Sequence, residues 1–320
     1  MVIKSIMGAL SPAGQRARLS ILIFHRVLSK QDPLFPDEPG REQFDQILGW
    51  LSKWFQVLPL DLAVMQLRSG SLPARAAAIT FDDGYADNAT NALPILKRHG
   101  MQATFFVATS FLDGGRMWND TLIEAIRACQ AESLDLSEGG LGCFKLGSVG
   151  ERRLAIESLL GRVKYLESDK RNQAVALVQR AVPIALPDDL MMTSRQVIQL
   201  RDAGMQIGAH TRTHPILARL PDSESLEEIK TSKQVLEALL GEPVSLFAYP
   251  NGKPGKDYLD KHAAMARQAG FAAAVSTAAG VSSGTTDLFQ LPRFTPWDRT
   301  QLRYAMRLMR NLRAAAPQVA

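Results

Sequence analysis

Short apolar runs alternate along the chain with longer segments in which apolar residues recur at helical spacing. The short runs have the length of buried strands, and they cover Leu19–Val27, Ala76–Phe81, Ala103–Thr109, Met205–Ala209, Ser245–Ala248 and Phe271–Ser276. The spacing between them predicts helices over Gln43–Phe55, Asp87–Arg98, Ser194–Ala203, Ser223–Leu240 and Lys256–Gln268. Such an alternation is typical of parallel strands covered by helices, so we predict an α/β fold.

Residues 112–190 interrupt this alternation. They contain a glycine-rich patch, Glu138–Gly142, and a long polar stretch with helical character around residues 150–182. We interpret the segment as an insertion that forms a cap or a side subdomain. The predicted organisation is therefore an N-terminal extension over residues 1–18, one large domain over 19–312 that carries the insertion, and a C-terminal tail over 313–320.

Length and composition are those of an ordinary globular protein. The chain has 320 residues, of which 46% are hydrophobic and 22% charged, and a single α/β barrel commonly has this length. The net charge is +5, but Lys and Arg are spread along the chain rather than clustered, and no nucleic-acid-binding motif is present. We therefore expect no nucleic-acid partner. A solvated surface is the default, and an acidic polymer or an anionic membrane stays open as a neighbour.

The N-terminus has only a short, weak apolar run with one lysine, which is too little for a secretory signal. No run of about 18 apolar residues occurs, so we predict no transmembrane helix. By default we expect a cytoplasmic protein. Weak association of residues 1–18 with a membrane surface stays open.

The chemistry is concentrated in polar residues that directly follow predicted strands. Asp82 and Asp83 end one apolar run, and His210 follows another, with His214 four residues further on. Because the carboxyl ends of barrel strands face one mouth, these side chains can converge. One carboxylate and two histidines are the ligand set of an open catalytic divalent-metal site, and the spare carboxylate suits a general base. The alternatives are an Asp-Gly turn and ordinary surface histidines.

Three further positions are candidates for the same mouth. His25 ends the first apolar run, where the alternative is a hydrogen-bonded core residue. Asn251 lies in the turn Tyr249–Gly252 after a strand, where a backbone N–H can face a developing oxyanion. Arg293 lies in a short apolar run and requires a carboxylate partner, for which Asp82 is a candidate. A purely structural role is the alternative at each of these positions.

Together these motifs resemble those of a known family. Thr80–Gly84, His210–His214 and Tyr249–Gly252 look like the signature segments of the polysaccharide deacetylases of the NodB-homology group, carbohydrate esterase family 4. The resemblance covers about residues 19–111 and 188–296. It implies an irregular (β/α)7 barrel, which agrees with the alternation of strands and helices.

The resemblance also implies an activity and roles for the site residues. Asp83, His210 and His214 would bind a divalent metal, usually Zn²⁺ but also Co²⁺, Ni²⁺ or Mn²⁺. Asp82 would be the general base, and the Asn251 N–H would share the oxyanion. The implied reaction is hydrolysis of N-acetyl groups on an amino sugar of a glycan, releasing acetate. The residues predicted to contact the glycan are Tyr85, Tyr249, Pro250 and Trp118; for Tyr85 and Trp118 the alternative is packing in the core.

The chain departs from the common family pattern at two points. No histidine follows His262, although many members have a late histidine that protonates the leaving amine. His25 resembles the N-terminal histidine of a subgroup, and we expect it to be this acid or a group that tunes the site. Ala248 stands where many members have an arginine that holds the catalytic aspartate, and Arg293 is a candidate to replace it in space. The departures leave two alternatives open: an O-deacetylase or deformylase, and a catalytically weak sugar-binding protein.

Overall fold

A computed structural model of the chain describes residues 2–296 and 298–314. Six longer parallel strands and one of two residues build the main sheet, and two further strands form a separate antiparallel pair. The strands are β1 (Leu19–Phe24), β2 (Gln56–Val57), β3 (Ala76–Phe81), β4 (Thr104–Val107), β5 (Ser133–Leu136), β6 (Gly142–Lys145), β7 (Gln206–Ala209), β8 (Leu246–Ala248) and β9 (Ala273–Val275).

Helices precede, connect and follow these strands. They are α1 (Val2–Leu10), α2 (Arg41–Trp54), α3 (Leu60–Ser69), α4 (Leu93–Arg98), α5 (Trp118–Ala128), α6 (Val149–Val163), α7 (Ser168–Ala181), α8 (Ser194–Asp202), α9 (Asp222–Leu240), α10 (Asp260–Gln268) and α11 (Gln301–Asn311). In the described residues none of these helices is both long and apolar enough to cross a membrane.

The main sheet is curled, with the order β1-β3-β4-β7-β8-β9, and β2 pairs with β3. All of its pairings are parallel. The gap between β9 and β1 is bridged by residues 291–294, since Leu291 pairs with Val275 and Phe294 pairs with Leu22. The predicted barrel of the (β/α)7 type is thereby confirmed, with the seventh position occupied by a short bridging segment rather than by a full strand.

Alternation along the strands separates two cores. Ala76 and Ala78 of β3 pack in the barrel interior, whereas Ala77, Ile79 and Phe81 pack against the surrounding helices. This period of two is the intrinsic geometry of a strand. The interior is narrow: a Cβ at Gly208 would lie 2.4 Å from the Phe106 ring. The next interior positions towards the carboxyl ends of the strands are where the polar site begins.

Local structure differs from the sequence prediction at several points. Helix α3, which closes one end of the barrel interior, was not predicted. The helix predicted over Asp87–Arg98 begins as a π-helical turn over residues 88–92 and becomes α4 only at Leu93. The polar stretch around residues 150–182 is two helices rather than one, because the chain turns between Val163 and Ser168.

Residues within the predicted insertion form a compact unit with a core of its own. Helices α5, α6 and α7 pack around the β5–β6 hairpin. Ser148 begins α6 with a capping box: its side-chain hydroxyl accepts a hydrogen bond from the Glu151 N–H, and its backbone N–H donates one to the Glu151 carboxylate. The start of α5 reaches the carboxyl end of the barrel, so this unit forms one wall of the cavity described below. Of the predicted tail, residues 315–320 lie outside the described residues.

Candidate metal centre and active site

Two adjacent aspartates emerge from the end of β3 in different directions. Asp82 continues the interior alternation of Ala78 and Thr80, so its side chain points towards the barrel axis. Asp83 has a φ of 77°, a left-handed conformation that few residues other than glycine adopt. This turn directs the two carboxylates to different partners although they are neighbours in sequence.

Asp83, His210 and His214 converge at the mouth of the barrel. The Asp83 Oδ1 lies 3.3 Å from the Nε2 atom of each histidine. The three ligand atoms lie within 4.8 Å of one another. The His210 Nδ1 is 2.8 Å from the Ala248 carbonyl oxygen, which fixes its tautomer and leaves Nε2 for a ligand. Their chemistry and spacing therefore suit a divalent cation with open coordination positions.

The charges of this cluster are arranged as a cation site requires. Burial opposes ionisation of Asp83, but the two histidines outweigh it and hold the pKa of Asp83 well below its ordinary range. Burial lowers the pKa of His214, which favours the neutral imidazole that binds metals. Burial acts in the same way on His210, but the adjacent aspartates outweigh it and raise its pKa.

The loop that carries the two histidines is anchored from outside the barrel by Glu228 of α9. Its Oε2 accepts hydrogen bonds from the backbone N–H groups of Arg212 and Thr213, at 2.9 and 2.7 Å, and its Oε1 accepts one from the Thr213 hydroxyl. Thr211 and His214 both have positive φ. Glu228 therefore holds a strained turn in the conformation that places both imidazoles. No sequence motif marks Glu228 for this role, because only the tertiary structure brings α9 to this loop.

Asp82 is held by a buried, two-pronged ion pair with Arg293. The Arg293 Nη1 and Nη2 each donate to one oxygen of Asp82, both at 2.6 Å. The Arg293 Nε donates to the Ser276 carbonyl, so the guanidinium is fixed on both sides. Burial alone would raise the pKa of Asp82, but the charge of Arg293 outweighs it and lowers the pKa. Asp82 is thus an ionised, immobilised carboxylate at the same mouth.

A cavity of about 760 Å³ opens above these groups. The residues on its wall that the sequence analysis had singled out are His25, Asp82, Asp83, Tyr85, Trp118, His210, His214 and Asn251. The backbone at His25 is held by the π-helical turn that precedes α4, because the Asn88 side chain donates to the His25 carbonyl. The volume is ample for a sugar residue with its acetamide group.

The turn after β8 presents Asn251 to this cavity. Asn251 has a φ of 59°, and its carbonyl accepts a hydrogen bond from the Thr277 hydroxyl. Within the described residues its backbone N–H donates to no protein acceptor. Tyr249 and Pro250, by contrast, are buried outside the cavity wall: Tyr249 stacks on Tyr258 and donates to the Phe289 carbonyl. Their placement favours support of the turn rather than contact with a glycan.

Asp120 of α5 is a buried acid on the cavity wall that the sequence analysis did not single out. Its Oδ1 accepts a hydrogen bond from the Tyr85 hydroxyl at 2.9 Å, and its Oδ2 has no partner among the described residues. Burial raises the pKa of Asp120 to about 7, and the charge of Asp83 acts in the same direction. Asp120 therefore carries its proton over part of the neutral range. Its position next to Trp118 was the only signal in the sequence.

The late histidine of the chain takes no part in the site. The Nδ1 of His262 accepts a hydrogen bond from the Leu259 N–H and begins α10. The candidates for protonating a leaving group at this mouth are thus His25 and Asp120, both on the cavity wall.

Comparison with known proteins identifies the family. The model of the family "Polysaccharide deacetylase" matches residues 69–134 and 164–274, which is more than half of the chain. The chain therefore belongs to the polysaccharide deacetylases of the NodB-homology group, carbohydrate esterase family 4, whose activity is hydrolytic removal of acetyl groups.

Several individual proteins are similar over most of the chain. "Putative polysaccharide deacetylase YxkH" of Bacillus subtilis (strain 168) is 22% identical over 279 residues, covering 87% of this chain and 71% of that protein. The Streptococcus pyogenes deacetylase PplD, solved in complex with acetate, superposes with a TM-score of 0.61 at 19% identity, covering 93% and 99% of the two chains. IcaB from Ammonifex degensii gives a TM-score of 0.60 at 18% identity, covering 95% and 99%. The two structures establish the fold.

Proposed function

We propose that this protein is a metal-dependent N-deacetylase that removes acetyl groups from the amino sugars of a polysaccharide or its glycan precursor. The observation that carries this proposal is the convergence of Asp83, His210 and His214 beside the immobilised carboxylate of Asp82. Family membership supports acetyl hydrolysis, and the donor set supports a divalent cation, Zn²⁺ first, with Co²⁺, Ni²⁺ and Mn²⁺ as alternatives.

A divalent cation held by Asp83, His210 and His214 would supply Lewis acidity, which polarises an amide carbonyl and makes a water more acidic. The protein groups perform the remaining tasks. Asp82 is ionised and accepts the proton of the attacking water, while Arg293 keeps its carboxylate in one orientation. The Asn251 N–H donates to the oxygen that becomes negative in the tetrahedral intermediate.

Departure of the amine requires a proton. We assign its delivery to His25, whose ring lies on the cavity wall close enough to interact electrostatically with Asp82 and Asp83. Tyr85 and Trp118 would contact the sugar ring from the same wall. Products are then acetate and a free amino sugar; PplD, a structural relative, was solved with acetate.

The test combines metal content with acetate release. Wild type, His214→Ala and Asp82→Asn are assayed by elemental analysis and with a panel of N-acetylated, O-acetylated and N-formylated glycans. We expect stoichiometric metal in wild type and in Asp82→Asn, and none in His214→Ala. Acetate release should fall by about 10²–10⁴-fold in Asp82→Asn, the range for loss of a general base.

His99→Ala is the matched control, because His99 lies on the helical shell and pairs with Asp45 away from the mouth. Full activity of Asp82→Asn would refute the assignment of the base. Metal without turnover of any acyl glycan would refute the deacetylase and favour a sugar-binding protein.

A further inference from the structure

The two ends of the chain share an unusual charge. No acidic residue occurs before Asp32 or after Asp298, whereas each of these terminal segments has five lysines and arginines. These ten cations exceed the net charge of the whole chain, +5, so the rest of the chain is net acidic. In sequence the cations look dispersed, because the two segments lie at opposite ends.

The fold brings the two segments together. Helix α1 packs against α11, and both turn their inner faces to the same core, through Met7 on α1 and Tyr304 and Leu308 on α11. The Arg18 side chain, which follows α1, also donates to the Leu312 carbonyl at the end of α11. The exposed residues of these two adjacent helices therefore lie on neighbouring parts of the protein surface.

The outer face of this helix pair is apolar as well as basic. Val2 and Ile6 of α1 are 73% and 40% exposed, and Leu302 and Met306 of α11 are 63% and 50% exposed. We define these four residues, together with the exposed cations Lys4, Arg303, Arg310 and Arg313, as the terminal-helix face. None of the four cations has a carboxylate partner within salt-bridge distance among the described residues.

We infer that the terminal-helix face binds the surface of a membrane that contains anionic lipids. Cations alone would suit nucleic acid or an acidic protein, but exposed aliphatic side chains gain nothing from a phosphate backbone. A lipid interface accommodates both kinds of side chain, since the aliphatic side chains enter the acyl boundary and the cations contact the anionic headgroups.

The inference does not depend on the chemistry of the cavity. Its test uses co-sedimentation of the full chain with vesicles of phosphatidylglycerol and phosphatidylcholine (1:3) or of phosphatidylcholine alone. We expect binding to the anionic vesicles only, and at least a tenfold loss in 0.5 M salt, because screening weakens the headgroup attraction. The variants are Leu302→Ser/Met306→Ser and Arg303→Glu/Arg310→Glu.

Both double variants should lose at least tenfold in vesicle partitioning, with unchanged thermal melting and unchanged activity on a water-soluble substrate. Met65→Ser/Leu154→Ser, which removes two comparably exposed apolar residues elsewhere, should bind as wild type does. Failure of wild type to bind anionic vesicles, or equal binding by all variants, would overturn the inference. Two other results would also overturn it. One is a dimer, seen by sedimentation analysis, that becomes a monomer in Leu302→Ser/Met306→Ser. The other is binding of DNA that this variant retains.

Discussion

At the scale of single residues, this site depends on backbone conformations that cost free energy. Asp83, Thr211, His214 and Asn251 all have positive φ although none is glycine. Such conformations cost on the order of 1–3 kcal/mol each and persist where the surrounding structure holds them. Here their concentration at one mouth marks it as the functional region, and the hydrogen bonds of Glu228 and Thr277 show what holds two of these turns.

Asp120 leads to a prediction about pH. In the unfolded chain its carboxyl titrates near 3.8, whereas in the folded protein burial raises its pKa to about 7. The folded state therefore binds the proton more tightly, so this contribution to stability is complete below 3.8 and is lost as pH rises to 7. In Asp120→Asn the contribution is absent. The free energy of unfolding of wild type relative to Asp120→Asn should fall by up to about 1.4 kcal/mol per pH unit across this window.

Urea unfolding of both proteins at pH 5, 6, 7 and 8 checks this expectation. Asp189→Asn, at an exposed aspartate, is the control and should follow wild type. Parallel pH profiles for wild type and Asp120→Asn would show that Asp120 titrates normally.

At the scale of elements, helices outside the barrel position the groups inside its mouth. α9 supplies Glu228 to the histidine loop, α5 supplies Asp120, and the segment that bridges β9 and β1 supplies Arg293. Each contact joins parts of the chain that lie far apart in sequence, so the spacing of apolar residues does not predict it. An element can therefore matter for the site without carrying any recognisable motif.

Glu228 provides the test at this scale. Glu228→Ala leaves the N–H groups of Arg212 and Thr213 without their acceptor, so the turn relaxes and the two imidazoles lose their spacing. We expect metal affinity to fall by about 10- to 100-fold, as for other groups that orient metal ligands. Glu227→Ala, on the exposed side of the same helix, removes only a bond to Thr231 and should bind metal normally.

The measurement is a competition titration against a chelator of known zinc affinity, with thermal melting recorded for both variants. Equal metal affinity of Glu228→Ala and Glu227→Ala would show that the turn keeps its conformation without this anchor.

At the scale of the whole molecule, the barrel closes through the same segment that completes the site. Residues 291–294 bridge the first and last strands of the barrel, and Arg293 within them pairs with Asp82. Asp83, His210 and His214 similarly connect β3 to the loop after β7. A cation bound there would therefore cross-link separate parts of the sheet and stabilise the fold as a whole.

Metal removal is thus expected to lower the melting temperature. At free Zn²⁺ 100-fold above its dissociation constant, the folded state should gain about 2.7 kcal/mol, provided that the unfolded chain binds none. Scanning calorimetry of chelator-treated protein, with and without added Zn²⁺, measures this gain. His99→Ala should respond as wild type does, and His214→Ala should not respond; a wild-type melting temperature independent of Zn²⁺ would contradict a metal centre.

Features that depend on neighbouring residues could be predicted from the amino-acid sequence. Short apolar runs located six of the main strands, and helical spacing located most of the barrel helices, because burial imposes both patterns on nearby residues. The convergence of Asp82, Asp83, His210 and His214 followed from one further rule, that parallel strands end at a common mouth. The same rule led to His25 and Asn251 on the cavity wall.

Contacts between distant parts of the chain could not be predicted in this way, because they depend on how the elements pack. Arg293 and Asp82 are 211 positions apart, and their bidentate pairing depends on how the barrel closes. The burial of Tyr249, the raised pKa of Asp120 and the anchoring by Glu228 depend on packing between elements, which no local pattern encodes. The meeting of α1 with α11 is of the same kind, since a surface is defined by the fold and not by the order of residues.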